Sequence, residues 1–165
     1  MFRPMRRKNR EIPREQAQAV LKTARWGVLA MNGENGYPYA IPLNFRYDEN
    51  EEKIYFHGAR AGYKAEAIRA CDQVCFTACG EETVKQEAWA PFVKSAVAYG
   101  RCHPVEDRDV AMEQLRRLAG KYFPDAETVE AEMVKAGKAV QMYVIEIEHL
   151  TGKEFRRHRK GLSFP

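Results

Sequence analysis

The chain has 165 residues, of which 45% are hydrophobic and 30% are charged. This length and composition predict a single globular domain over residues 1–165 and exclude collagen-like and wholly disordered proteins. The formal net charge of +4 is unevenly placed: residues 1–14 sum to +5 and residues 152–165 to +4, which leaves −5 for the body. Basic tails at about 1–12 and 152–165, rather than a basic folded face, argue against nucleic acid as the main partner.

The pattern contains no segment typical of a membrane span or a secretory signal. The longest apolar runs, such as residues 27–31, fall far below the roughly 20 residues that a span needs. No apolar segment follows the positive charges of residues 1–8, as a signal peptide would require. Four cysteines in such a chain indicate reduced thiols. We therefore expect a cytoplasmic protein with no membrane partner.

Hydrophobic periodicity and turn residues predict the elements in chain order. Four helices are expected at residues 13–24, 63–70, 107–122 and 125–135. Six strands are expected at residues 26–31, 37–47, 53–57, 74–79, 92–104 and 140–149. Antiparallel runs of strands without regular β-α-β alternation predict an α+β, mainly β, domain: a six-stranded antiparallel barrel with peripheral helices.

The second strand has the clearest pattern of the chain. Bulky residues occupy every other position over eleven residues: Tyr37, Tyr39, Ile41, Leu43, Phe45 and Tyr47. A period of two predicts one continuous strand with one bulky face, and its two prolines favour an edge position or bulges. Turn residues flank it on both sides, so residues 26–57 are expected to form a three-stranded meander.

Residues 56–64 combine a strand end, small residues and a helix whose first turn carries Lys64. Free backbone N–H groups and the helix dipole point out of such a turn, and with a lysine they can cradle a phosphate. The glycines leave room for a close approach. An ordinary β-to-α turn with a surface lysine explains the same pattern, since no P-loop sequence is present.

His57 ends the third strand and could donate a proton, orient a ligand or bind a metal, although a lone histidine there is more often only hydrogen-bonded. Cys71, Cys75 and Cys79 repeat every four residues, which fits neither zinc pairs nor common iron–sulfur patterns, so we expect no metal. Nucleophile-elbow and GxGxxG sequences are absent. A possible phosphate cradle without a protein-borne catalytic set suggests that a bound cofactor carries the chemistry.

Several motifs, taken together and in order, resemble one family. They are Trp-Gly-Val-Leu-Ala at 26–30, Gly-Tyr-Pro-Tyr-Ala-Ile-Pro-Leu-Asn-Phe-Arg-Tyr-Asp at 36–48, Lys-Ile-Tyr-Phe-His-Gly-Ala at 53–59, Gly-Tyr-Lys at 62–64, Ala-Tyr-Gly-Arg at 98–101 and Thr-Gly-Lys at 151–153. The chain resembles the nitroimidazole-resistance proteins, a branch of the pyridoxamine-phosphate-oxidase-like flavoproteins, over roughly residues 5–153. The resemblance implies a split β-barrel that binds FMN at a homodimer interface.

The same resemblance implies a cofactor site drawn from several segments. The residues it marks are Gly58, Ala59, Gly62 and Lys64 for the phosphate; Pro42, Leu43 and Asn44 for the isoalloxazine; Phe56 and His57 beside the flavin; Thr77 for the phosphate or ribityl chain; Ala98 and Gly100 as a small face for the flat ring; and Trp89 as a contribution from the partner subunit.

The expected function is an FMN-dependent oxidoreductase that reduces small electron-poor organics such as nitroaromatics, with His57 as proton donor. Two alternatives use the same barrel: a non-catalytic flavin or heme carrier, and an oxidase of the pyridoxamine-phosphate-oxidase type. Pyridoxamine phosphate is a weaker substrate candidate here than in the parent family, because the basic segment 155–157 does not match the arginine-rich substrate motif of the oxidases. Expected partners are a second copy of the chain and a small-molecule substrate.

Overall fold

The structure is a computed structural model that describes residues 1–85, 90–123, 125–136 and 139–155. The helices are α1 (Arg14–Thr23), α2 (Tyr63–Ala70), α3 (Arg108–Tyr122) and α4 (Ala126–Ala136). The strands are β1 (Glu11–Ile12), β2 (Gly27–Asn32), β3 (Pro38–Leu43), β4 (Arg46–Asp48), β5 (Lys53–Gly58), β6 (Gln73–Cys79), β7 (Thr83–Lys85), β8 (Ala90–Pro104) and β9 (Gln141–Phe155). None of the described helices has the length and apolarity of a membrane span.

The strands form one antiparallel path in the order β3-β2-β6-β8-β9-β5-β4, with β1 added beside β9 and β7 beside β8. The two ends of the path, β3 and β4, follow one another in the chain, yet the ladders of the described residues do not join them. The barrel is therefore split between β3 and β4. The predicted α+β, mainly β, split barrel is confirmed, but it has nine described strands rather than six.

The expected single strand at residues 37–47 is wrong, and so is the meander. The chain leaves the ladder at Asn44 and Phe45: β3 pairs with β2, whereas β4 pairs with β5. β5 pairs with β4 on one side and with β9 on the other, so the β2–β3 ladder does not continue into β5. The period of two could not reveal this break, because Phe45 and Tyr47 stay on the buried side after it.

The last strand is longer than predicted, and part of each expected basic tail belongs to the sheet. Lys153 pairs with Ser95 of β8 and with Glu11 of β1, so residues 11–12 and 152–155 belong to the sheet. A Cβ atom at Gly152 would lie 2.6 Å from Ile12 Cγ1, which shows how closely β1 covers this end of β9. The remaining predicted tail, residues 156–165, lies outside the described residues.

The barrel interior is filled by aromatic rings set against very small residues. Phe76 is fully buried and pairs in the ladder with Ala98, which is also fully buried. Its ring meets that of Phe45 edge-on, with centroids 4.7 Å apart, and a Cβ atom at Gly27 would lie 2.1 Å from Phe76 Cζ. Small residues are therefore required where the rings fill the space.

A second apolar cluster lies outside the barrel, where α3 covers β5 and β9. Ala111 and Leu118 of α3 pack there against Tyr55, Met142 and Val144. The helix begins at the predicted position because the Asp107 side chain accepts hydrogen bonds from the backbone N–H groups of residues 109 and 110. This N-cap is typical of aspartate and fixes the start of α3.

Two glycine-to-alanine substitutions should have opposite effects on stability. A Cβ atom at Gly100, beside the register shift between β8 and β9, would lie 2.1 Å from the Glu146 carbonyl oxygen, so Gly100→Ala should destabilise the fold by about 1–3 kcal/mol. A Cβ atom at Gly120 of α3 meets nothing within 4 Å, so Gly120→Ala should stabilise it by about 0.5–1 kcal/mol. Urea unfolding measures both, and equal stability of the two variants would contradict the close β8–β9 crossing.

Candidate functional site

The turn between β5 and α2 has an uncapped helix N-terminus. Gly62 occupies the N-cap position with φ +102°, a backbone conformation that favours glycine, and no side chain in the described part of the protein caps the helix. The Tyr143 hydroxyl donates to the Ala59 carbonyl oxygen over 3.0 Å and ties the turn to β9. The first backbone N–H groups of α2 are thus free of a side-chain cap, which is a favourable place for an anion.

Lys64 lies in the first turn of α2 and folds back over the end of β5. Its Nζ lies 5.4 Å from the centroid of the Phe56 ring and 5.6 Å from that of Tyr143, and it donates to the His57 carbonyl oxygen at 3.4 Å. A Cβ atom at position 58 would lie 2.1 Å from this Nζ, so Gly58 makes room for the amine. The fully buried ring of Phe56 lies beneath the Lys64 amine.

Among the described residues, the charge of Lys64 has no carboxylate partner. Within the described part of the chain, no Asp or Glu oxygen forms an ion pair with its Nζ. Burial lowers its pKa from the ordinary value of 10.5, and the Cys102 thiol acts weakly in the opposite direction. A half-buried ammonium that is destabilised by burial would gain from an anion beside it.

His57 lies on the opposite face of β5, as the alternation of the strand predicts. It lines a cavity of about 420 Å³ between β5 and the α3–α4 pair, together with Leu115, Phe123, Val129 and Met133. Partial burial lowers the pKa of His57 below 6.5, and the Lys64 charge lowers it further. The imidazole is therefore mainly neutral at pH 7, where it can donate or accept a hydrogen bond.

The end of β3 and the outward face of β6 meet in a different cavity. Pro42 and Thr77 both stand opposite Val28 in the two ladders of β2, and both line a surface cavity of about 430 Å³ beside Trp26. The Thr77 hydroxyl donates to the Ala96 carbonyl oxygen over 3.0 Å. These two residues thus lie on the outer face of the barrel, whereas the ring of Phe56 lies inside it.

Leu43 and Asn44 continue from Pro42 to the split of the barrel. Leu43 packs against the barrel core, and the Asn44 side chain donates to the Arg25 carbonyl oxygen over 3.1 Å. The β4–β5 ladder ends at Arg46 opposite Tyr55, so Asn44 and His57 both lie two residues beyond its last pair. The end of β3 and the end of β5 therefore approach the same end of the sheet.

One of the expected flavin contacts does not fit the structure, because Ala98 is fully buried in the barrel, where its small size is explained by the internal packing of Phe76. Gly100 is held close beneath the backbone of β9, but it also lines a surface cavity of about 380 Å³ with Tyr99 and Glu148. Trp89, expected from the partner subunit, lies outside the described residues.

Sequence reasoning missed two residues at the end of α3. Lys121 donates to the carbonyl oxygens of Ala24 and Phe45, over 2.7 and 3.0 Å, and the Tyr122 hydroxyl accepts from the Phe45 N–H over 3.0 Å. Burial, then the charges of Arg25 and Arg46, lower the pKa of Lys121 to about 8. The sequence around a Lys-Tyr pair at a helix end does not reveal such contacts, because the bonded residues are separated by 76 or 77 positions in the chain.

An anion at Lys64 should raise the pKa of His57. The lysine charge helps to hold this pKa below its ordinary value, and a phosphate dianion beside the ammonium would offset that charge. Lys64→Met should raise the His57 pKa without phosphate. NMR titration of the His57 imidazole, with and without inorganic phosphate, measures the change. A His57 pKa that responds to neither change would contradict the assignment of Lys64 as an anion site.

Comparison with solved structures agrees with this fold. A proposed 5-nitroimidazole antibiotic resistance protein from Bacteroides thetaiotaomicron superposes with a TM-score of 0.72 at 22% identity, covering 88% of this chain and 86% of that one. An FAD-binding protein from Mesorhizobium loti gives 0.63 at 25% identity, covering 88% and 97%. A FAD- and heme-binding protein from Mycobacterium smegmatis gives 0.69 at 18% identity, covering 86% and 70%.

A search of curated proteins found no significant match. The sequence model of the family described as pyridoxamine 5'-phosphate oxidase, however, matches residues 13–154. That match runs from the residue before α1 to the penultimate residue of β9, and thus includes all the described helices and every described strand except β1. The chain therefore belongs to the pyridoxamine 5'-phosphate oxidase family.

Proposed function

We propose that the protein is an FMN-dependent oxidoreductase that reduces small electron-poor organic molecules such as nitroaromatics. The observation that carries the proposal is the Lys64 ammonium, half-buried over Phe56 and Tyr143 and without a carboxylate partner among the described residues. It stands in the first turn of an uncapped helix. Charge and backbone donors at one place favour a terminal phosphate.

The residues at this turn fit the phosphate group of FMN. The turn of residues 58–62, the N-terminus of α2 and Lys64 would hold the phosphate, and Gly58 leaves the space that the lysine occupies. Pro42, Leu43 and Asn44 would line the ring from the end of β3. The solved relatives named for FAD and for nitroimidazole resistance support a flavin and a nitroaromatic substrate respectively.

Bound FMN would supply the electron transfer. The protein would bind and orient the cofactor and the substrate and would supply protons. His57 would act first as a hydrogen-bond donor to the substrate, because its lowered pKa keeps it mainly neutral at pH 7. If it also donates a proton, turnover falls as pH rises through that lowered pKa. His57→Gln retains a hydrogen-bond donor and removes the titration.

Lys64→Ala should weaken FMN binding by about ten- to a hundredfold, because a charged hydrogen bond is lost. Binding of riboflavin, which lacks the phosphate, should change little. Lys22→Ala is the matched control, since Lys22 pairs with Glu49 on the surface of α1. Flavin fluorescence titration gives the affinity of wild type and of both variants for each of the two ligands. Equal losses for FMN and riboflavin would show that Lys64 acts on the fold or on the ring instead.

The same preparations test the reaction. FMN-loaded wild-type protein, photoreduced without oxygen, should recover its oxidised absorbance when mixed with 2-methyl-5-nitroimidazole, and faster than free reduced FMN does. Lys64→Ala at saturating FMN should retain this reaction, because the lysine holds the phosphate and not the reacting ring. Wild-type protein that binds FMN but is not reoxidised by the nitro compound would favour the carrier over the reductase.

We further propose a homodimer that covers the outer face of β2 and β3. Trp26 is 62% exposed and Val28 37% exposed, and both line the cavity that contains Pro42 and Thr77. Apolar side chains around a candidate ligand cavity are typical of an interface. A second copy seated there would enclose the ring-binding end of β3.

A charge on this face should break the dimer. Val28→Lys should give a monomer with weaker FMN binding, because the interface loses apolar contact and gains a buried charge. Val134→Lys is the matched control, since Val134 is 80% exposed on α4. Sedimentation velocity at micromolar concentration distinguishes the monomer expected for Val28→Lys from the dimer expected for Val134→Lys. A stable monomer of the wild-type protein with flavin bound would contradict the dimer.

A further inference from the structure

The split of the barrel leaves backbone polar groups without ladder partners. The β2–β3 ladder ends at Gly27 opposite Leu43, and the β4–β5 ladder starts only at Arg46. Between them, Phe45 is fully buried, so its N–H and carbonyl groups need partners within the protein. No strand of the described sheet supplies them.

The end of α3 satisfies these groups. The Tyr122 hydroxyl accepts from the Phe45 N–H over 3.0 Å and donates to the Arg25 carbonyl oxygen over 2.6 Å. Lys121 donates to the Phe45 carbonyl oxygen over 3.0 Å and to the Ala24 carbonyl oxygen over 2.7 Å. We call these two residues the α3 clasp. It fastens the segment before β2 to the segment after β3.

The clasp lies next to both parts of the candidate site. Asn44, an expected ring contact, donates to the same Arg25 carbonyl oxygen that Tyr122 binds. The residue after the clasp, Phe123, lines the cavity that contains His57. The end of α3 is therefore a shared support for the end of β3 and for the wall opposite His57.

We propose that Lys121 and Tyr122 are positioning residues that hold the backbone of residues 43–45 in place for the flavin ring. The inference rests on the proposed function. The clasp would affect binding of the flavin ring, whereas Lys64 would affect binding of the FMN phosphate. Loss of the clasp should therefore weaken riboflavin and FMN binding by the same factor. Loss of Lys64 should weaken FMN alone, so the two roles are separable by experiment.

The test compares flavin affinity across four variants. Tyr122→Phe removes the hydroxyl that binds Phe45 and Arg25, and Lys121→Met removes the ammonium; each should weaken FMN and riboflavin equally, by about tenfold. Lys121→Arg keeps donors at this position and should restore most of the affinity. Tyr55→Phe is the matched control, because it removes a single tyrosine hydrogen bond, to Glu51 over 2.9 Å, and should leave both affinities unchanged.

Hydrogen exchange of the Phe45 amide provides a readout without flavin. In the free protein it should be faster in Tyr122→Phe than in wild type and unchanged in Tyr55→Phe. Wild-type flavin affinities in Tyr122→Phe and Lys121→Met, or an equal loss in Tyr55→Phe, would overturn the positioning role alone. Wild-type protein that binds neither FMN nor riboflavin would overturn the proposed function and this inference with it.

Discussion

The split between β3 and β4 is the constraint on which the rest of the structure depends. A barrel that closes through every strand would pair all its backbone groups, but this one opens at Phe45, whose ring is needed inside against Phe76. The backbone groups at the opening then need partners from outside the sheet. Lys121 and Tyr122 provide them, so α3 has to dock over β5 and β9. The helix that completes the barrel also forms the wall of the His57 cavity.

The chemistry of the candidate site follows from the two faces of β5. Phe56 points into the barrel and supports the Lys64 ammonium, whereas His57 points outward under α3 and α4. The two groups lie close enough for the lysine charge to lower the pKa of the histidine. An anion bound at Lys64 would therefore change the pKa of His57. Binding of a phosphate-bearing cofactor at Lys64, as proposed, would thereby be linked to the protonation of His57.

Local features of the sequence predicted the elements well, since helix ends, turns and strand periods are set by neighbouring residues. Lys64, Gly58 and Gly62 were proposed in this way, because a strand end, glycines and a first-turn lysine are adjacent in the chain. Pairing was harder to predict. The odd positions of residues 39–47 stay on the inner side across the break, so periodicity could not show that Phe45 leaves the ladder. Ala98 was misread because a small residue suits a bound ring and an internal phenylalanine equally. The α3 clasp joins distant segments and has no local signal.

The identity of the cofactor held by the purified protein tests the central claim most directly. The account predicts a two-band flavin absorption spectrum, either as purified or after addition of FMN, and release of FMN with the mass of the monophosphate on denaturation. Riboflavin should reconstitute the spectrum only at higher concentration, because it lacks the group that Lys64 would bind. A Soret band, release of FAD alone, or a protein that stays colourless in the presence of FMN would contradict it.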